Sequence, residues 1–272
     1  MSRLALVITT HERPDALAAV LDSVSRQSES PAGIVIADDG SGPSTSGLID
    51  AFAERSTVAV RTVRQEHRGF RVARLRNLAI AATMTAAAAG VADYLVFVDG
   101  DMVLHREFVA DHRRIARRGW FTQGVRAHAD PALTRTLIDD PAAPLGPFTR
   151  GLGGLRRAYL LRSPVAATIT RRLANAFVAV KSCNFGAWRD DLVRVNGFNE
   201  EFEGWGPEDK ELALRLQHAG VRRQTLLFGG IATHLHHPAA SRAELAANLA
   251  LLEQTRRRRL VRCERGLAAH FG

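Results

Sequence analysis

Hydrophobic and polar positions alternate along the N-terminal half of the chain in a strand–helix rhythm. Leu4–Ile8 is an unbroken aliphatic run, the pattern of a strand buried on both faces. Pro14 suits a first helical turn, and Leu17, Val20, Leu21 and Val24 recur behind it at helical spacing. Gly33–Ala37 predicts a second buried strand, Leu48–Ala53 a short helix and Val58–Val63 a third strand. Val72–Ala89 reads as a long apolar helix closed by Gly90, and Tyr94–Val98 as a fourth strand. Beyond it the period is less regular. Phe121–Arg126 and Cys183–Trp188 predict strands, with helix near Leu155–Leu161 and Ile169–Val178 inside a loop-rich stretch. A short helix is expected at Asp190–Val195, a longer one at Glu208–His218 and a strand at Gln224–Phe228. Arg242–Arg262 predicts a final helix.

Strands and helices alternating at this spacing imply βαβ units and a mostly parallel sheet flanked by helices, an α/β fold of Rossmann-like type. In such sheets ligands sit outside the carboxyl ends of the strands. Attention therefore falls on Thr9-Thr10, Asp38-Asp39 and Asp99-Gly100-Asp101, the polar residues that close three apolar runs.

Size, charge and cysteine content narrow the picture. The 272 residues suffice for one sizeable core, and neither a linker nor a fixed-period repeat divides them. Lys and Arg total 37 against 28 Asp and Glu, a formal charge of +9, which favours anionic partners. Aromatic residues make up only 6% and do not interleave with the arginines, which argues against a nucleic-acid stacking platform. The basic segments are candidates for peripheral contact with an acidic membrane surface. Cys183 and Cys263 form neither a metal-type cluster nor a disulfide framework, so a reducing, cytoplasmic setting is expected. Met1–Thr10 reads as a buried first strand rather than a leader.

Two carboxylates flanking a glycine, Asp99 and Asp101, offer the oxygen ligands that Mn²⁺ or Mg²⁺ takes when it is shared with substrate phosphates. Such a cation would neutralise charge developing on a diphosphate leaving group. Asp38 and Asp39 are placed to accept hydrogen bonds from ribose hydroxyls or a base N–H, although Asp-Gly is also ordinary turn chemistry. In Gly204-Trp205-Gly206-Pro207-Glu208-Asp209, two carboxylates open a helix beside an indole. One of them could serve as general base toward a hydroxyl, while both also suit the positive end of the helix dipole.

Taken together these motifs resemble glycosyltransferases of the GT-A fold. The runs Val7–Pro14, Ile36–Ser41 and Phe97–Asp101 are similar to family-2 enzymes. Cys183–Arg189, Val195–Glu200 and Phe202–Asp209 are similar to the module of β-1,4-galactosyltransferases and bacterial chondroitin-type polymerases. The resemblance implies a single GT-A domain: residues 1–120 as the nucleotide-sugar-binding half, 121–182 as a loop-rich insertion, 183–240 as the acceptor and catalytic module, and 241–272 as a C-terminal helix.

It also implies roles. Thr9, Arg13, Asp38, Asp39, Arg76, Asn77 and Asp99 would line a UDP-sugar donor. Asp101, with Asp99, would bind the metal. His234 would complete that metal site, with His236 as the alternative, because both could share one face of an extended segment. Asp209 would be the catalytic base, and Glu208 and Trp205 would bind the acceptor. Pro207 and Lys210 depart from the usual pattern, the latter putting the animal type of acceptor recognition in doubt. The implied reaction is an inverting transfer, to a hydroxyl of a glycan or lipid-linked acceptor in cell-surface polysaccharide or lipopolysaccharide synthesis, of galactose or N-acetylgalactosamine, with glucose-type sugars behind. Nucleotidyl transfer is a competing reading, but it expects a glycine-rich loop where Thr9–Arg13 contains no glycine. A non-catalytic basic module that binds membrane or nucleic acid is the other.

Overall fold

The central strands are buried along almost their whole length, their side chains alternate between two faces, and each face is covered by helices. The computed structural model describes residues 2–84, 92–153, 155–172, 179–238 and 241–271. The elements in chain order are β1 (Leu4–Thr10), α1 (Pro14–Ser25), β2 (Gly33–Asp38), α2 (Pro43–Arg55), β3 (Val60–Arg64), α3 (Val72–Ala82) and β4 (Tyr94–Asp99). They continue with β5 (Met102–Leu104), α4 (Phe108–Ile115), β6 (Trp120–Gly124), β7 (Arg126–Ala129), α5 (Pro131–Asp139), β8 (Leu152–Gly153) and α6 (Pro164–Thr170). The last are β9 (Asn184–Trp188), α7 (Arg189–Arg194), α8 (Glu208–His218), β10 (Arg222–Leu226), β11 (Ala232–His234) and α9 (Leu245–Arg258).

A seven-stranded sheet runs β10-β6-β9-β4-β1-β2-β3. Every pairing in it is parallel except those of β9, which runs antiparallel to both β4 and β6. This is the expected α/β architecture with a mostly parallel sheet. On β1, Leu4, Leu6 and Ile8 pack into the layer that holds Leu17 and Val20 of α1 and Phe108 of α4. Ala5 and Val7 point the other way, toward Leu75 and Ile80 of α3 and Leu212 and Leu216 of α8. The period of 2 on strands and 3.6 on helices thus builds two cores on one sheet. A second sheet, β5-β11-β7-β8, stands beside the first with α5 packed on it.

Several elements differ from the sequence reading. The single strand expected at Phe121–Arg126 is two, β6 and β7, which belong to different sheets. The side-chain amide of Asn184 donates to the carbonyls of Val125 and Gly230 at the break, replacing the ladder there. The stretch read as loop-rich contains α5, started by Asp130, whose carboxylate accepts from Leu133 N. α6 begins earlier than expected, at Pro164, with Ser163 as its cap. Residues 85–89 of the long helix expected at Val72–Ala89, and 173–178 of that expected at Ile169–Val178, lie outside the described residues. α9 is shorter than Arg242–Arg262, because Arg259 turns into the left-handed region at the end of the run Arg256–Arg259. α4 went unanticipated. No helix among the described residues is long and apolar enough to cross a membrane.

Candidate active site

β1 and β4 end side by side, with Thr9 opposite Asp99 in the register. Thr9 Oγ1 donates to Asp99 Oδ1 at 3.0 Å. The chain then reverses at Gly100, whose N–H donates to the Thr9 carbonyl at 2.7 Å. A Cβ at Gly100 would lie 2.9 Å from Thr10 Oγ1, so the close approach requires glycine between the two aspartates.

Arg76 joins this turn to the start of α8. Its guanidinium is 3% exposed and donates through Nη2 to Asp99 at 3.0 Å and through Nη1 to Glu208 at 3.1 Å. Both carboxylates are thereby compensated, Glu208 almost fully buried and Asp99 partly open to the cleft. Burial, reinforced by the neighbouring Asp209, raises the Glu208 carboxyl to about 7. Burial also raises Asp209, with Arg76 and Lys181 opposing it. Asp209 accepts from Lys210 N at 2.7 Å and has no ion-pair partner among the described residues. Burial pushes both adjacent acids up; Glu208 is tied to arginine, while Asp209 makes no ion pair among the described residues and faces the cavity.

Asp209 lines a cavity of about 200 Å³ together with Asp99, Arg76, Arg126, Lys181 and Trp205. Trp205 is 36% exposed at its rim, with the Arg242 guanidinium 4.9 Å from its ring centre. A larger cavity of about 450 Å³ lies along β5 and the Pro141–Leu145 loop, but no carboxylate lines it, so it lacks the chemistry gathered here.

Asp101 faces the second sheet. His234 Nε2 is 3.5 Å and His237 Nε2 3.3 Å from its Oδ2, and Arg13 Nη1 lies 3.8 Å away. The other oxygen, Oδ1, is buried without a hydrogen-bond partner. Burial lowers His234 to about 3, with Arg126 adding to the effect, so this imidazole stays neutral and able to ligate. One carboxylate with an unused oxygen and two imidazoles are a donor set that Mn²⁺ accepts. Of the expected ligands, Asp101 and His234 are in this group. His236 is not: β11 ends at His234, the extended alternation stops, and His236 is exposed while its backbone N–H bonds Thr134. His237 takes the position instead. Asp99 is likewise outside the group, engaged by Thr9 and Arg76.

The loop after β2 is built differently. Asp38, 1% exposed, accepts from the N–H and hydroxyl of Ser41 and faces Arg64, so it fastens its own turn. Asp39 accepts from Gln65 at 2.6 Å and pairs with His67 Nδ1 at 2.9 Å. The His11 ring stacks on His67 with centres 4.1 Å apart and planes within 14°. Rings so nearly parallel do not aim their lone pairs at a common point, so this trio suits stacking better than metal binding.

Asn77 departs from its expected donor role. It is fully buried, and its amide binds both N–H and C=O of Phe198 and the Glu200 carboxylate. Gly197, at φ +66°, passes so close that a Cβ would lie 2.3 Å from Asn77 Oδ1. Asn77 therefore clamps the turn before α8 and leaves the cleft to its neighbour Arg76.

The sequence alone does not point to Arg126, Lys181 or the His11–His67 stack, and it offers His237 only as one of the three histidines in Ile231–Pro238. Arg126 donates to Cys183 Sγ at 2.8 Å, and its Nε is buried without a partner. Burial pushes the Cys183 thiol up to about 12, so it stays protonated. No local pattern marks Arg126 or Lys181, because they come from a strand start and a loop that only the fold brings together. His237 stood in the run Thr233–Pro238 and needed only the strand's end point to be found.

Comparison with known proteins identifies the family and the fold. The glycosyl transferase family 2 model matches residues 5–171, and the N-terminal domain of galactosyltransferase matches residues 172–238. Validoxylamine A glucosyltransferase of Streptomyces hygroscopicus subsp. limoneus is 26% identical over 240 residues, covering 80% of this chain and 48% of that protein. Chondroitin synthase of Pasteurella multocida is 27% identical over 252 residues, covering 86% of this chain and 25% of that protein. The chain thus spans half or less of these relatives. Among solved structures, the mannosyltransferase PcManGT of Pyrobaculum calidifontis, in complex with GDP-Man and Mn²⁺, aligns with a TM-score of 0.60 at 17% identity, over 94% of this chain and 64% of that one. S. aureus TarS 1-349 in complex with UDP aligns with a TM-score of 0.59 at 14% identity, over 87% and 61%. Both share the fold.

Proposed function

This chain belongs to glycosyl transferase family 2, and from that premise we propose that it moves a sugar from a UDP-sugar to a hydroxyl of a glycan acceptor with inversion. The observation that carries the reading is the arrangement around Arg76. This one buried guanidinium ties the aspartate at the end of β4 to the acidic start of α8 and leaves Asp209 open to the same cleft. Asp209 takes the proton of the acceptor hydroxyl as that oxygen attacks the anomeric carbon. The bond to the diphosphate breaks on the opposite face, and Arg126 and Lys181 supply positive charge beside the leaving group. Thr9 and Arg76 hold Asp99 in place to meet the donor. Trp205 offers its ring to the acceptor sugar, and Glu208, braced by Arg76, borders the same pocket.

Asp101, His234 and His237 would hold Mn²⁺, which supplies Lewis-acid neutralisation of the diphosphate. Mg²⁺ is the alternative ion. Galactose or N-acetylgalactosamine is the proposed sugar, supported by the galactosyltransferase-type match over residues 172–238 and by the chondroitin synthase relatives. Glucose stands second, on the strength of the validoxylamine A glucosyltransferase relative. The acceptor is a cell-surface polysaccharide or lipopolysaccharide precursor, which would place the enzyme in the cytoplasm. Family membership sets nucleotidyl transfer aside.

The test is transfer to a panel of glycan acceptors from UDP-sugars with Mn²⁺ present, in wild type and Asp209→Asn. The general base contributes roughly 10²–10⁴-fold, so the variant should lose that much turnover while still binding UDP. A variant that turns over normally would remove Asp209 from the role.

A further inference from the structure

α6 presents its side chains the wrong way round for a helix of a water-soluble surface. Its large aliphatic residues Val165 and Ile169 are 70% and 66% exposed, while the residue it buries is Ala167. Leu161, just before the helix, is 58% exposed. An amphipathic helix normally turns its large apolar side chains to the core. α6 is nevertheless held firmly at both ends. Ser163 N donates to Phe228 O at 2.8 Å, and Thr225 N of β10 donates to Arg171 O at 2.7 Å. The aliphatic side is thus fixed outward against the edge strand of the main sheet.

The surface beside it is cationic and uncompensated. Arg172 lies just beyond the end of α6, and its guanidinium lies 5.2 Å from the Trp120 ring centre. Arg117 and Arg222 lie 5.7 Å and 5.6 Å from the same ring. None of the three has an ion-pair partner among the described residues, whereas nearby Arg118 pairs with Asp93 and Asp190. Like charges gathered on one indole repel each other unless an anion joins them. Exposed aliphatic side chains next to such a cluster distinguish the anion. A soluble polyanion would use the guanidiniums and gain nothing from Val165 or Ile169, but a lipid surface uses both.

We infer that the α6 face, Leu161, Val165 and Ile169 with Arg117, Arg172 and Arg222, seats the protein on an anionic lipid bilayer. The aliphatic side chains enter the boundary between headgroups and acyl chains, and the arginines pair with lipid phosphates. This inference is independent of the transferase reading, because it concerns lipid binding rather than sugar transfer.

The experiment is co-sedimentation of the full chain with phosphatidylcholine vesicles and with vesicles containing phosphatidylglycerol. Three variants accompany wild type: V165S/I169S, R117Q/R172Q/R222Q and, away from the face, R256Q/R257Q. Each is checked for an unchanged melting temperature. Wild type should bind the anionic vesicles and not the neutral ones. The triple arginine variant should bind roughly tenfold or more weakly, since each arginine near the surface is worth about fivefold. V165S/I169S should also weaken binding severalfold, and R256Q/R257Q should bind like wild type. Equal binding to both vesicle types, no binding to either, or heparin capture matched by anionic-vesicle binding that ignores V165S/I169S would each overturn the inference, the last in favour of a soluble polyanion.

Discussion

Arg76 is the residue on which the account turns. It is almost wholly buried between Asp99 and Glu208, so replacing it with alanine leaves two carboxylates facing each other without a cation. Breaking a buried pair in this way costs about 3–5 kcal/mol. Arg76→Ala should therefore lose roughly that much stability in urea unfolding, and Arg76→Lys, which cannot reach both acids as a fork, should lose an intermediate amount. An alanine variant as stable as wild type would show that the ion pairs contribute nothing. Glu208 gives a second test at this scale. Its carboxyl is raised from the usual 4.5 to about 7 in the folded state, so the folded protein binds that proton more tightly than the unfolded chain does. The stability so contributed is full below about 4.5 and is lost as pH rises through about 7. The stability of Glu208→Gln relative to wild type should accordingly rise over that interval. A difference that stays constant with pH would contradict the assigned shift.

Elements set where these residues meet. β1, β4 and α8 were legible because each carries an unbroken aliphatic run or a helical period, with polar residues closing the strands and acids opening the helix. Their polar ends therefore stand out, and Asp99, Glu208 and Asp209 do line one cavity. Less legible was what depends on contacts between distant segments. Nothing in the local pattern says that Asn77, next to Arg76 in α3, turns to the chain at Phe198 rather than to the cleft. Nor does it say that β11 stops at His234 and so brings in His237 in place of His236. The second sheet was missed because its strands are two to four residues long, too short for any period to register. Asn77 also offers an element-level prediction. Asn77→Ala leaves the Phe198 N–H unsatisfied in the core and its C=O with only the long Cys263 thiol contact, and should cost about 1–3 kcal/mol in thermal or urea unfolding. Because the loss loosens the turn leading to α8, turnover should fall as well. Unchanged stability would mean that water replaces the amide.

At the scale of the whole molecule, the sheet places a cleft of acids on a chain whose formal charge is +9. A positive surface favours anionic ligands in general, while acids in a cleft oppose a phosphate there unless a cation joins them. Donor binding and Mn²⁺ binding should therefore be coupled, each strengthening the other by the same factor. The most direct measurement is thermal unfolding with UDP-galactose, UDP-N-acetylgalactosamine and UDP-glucose, with and without Mn²⁺, in wild type and Asp101→Ala. At ~100 times Kd a ligand adds about 2.7 kcal/mol, which for a chain of this size is a rise of several degrees. That rise is expected for one of these sugars only when Mn²⁺ is present, and its loss in Asp101→Ala. A folded protein whose melting temperature ignores every nucleotide sugar, with or without Mn²⁺, would contradict it.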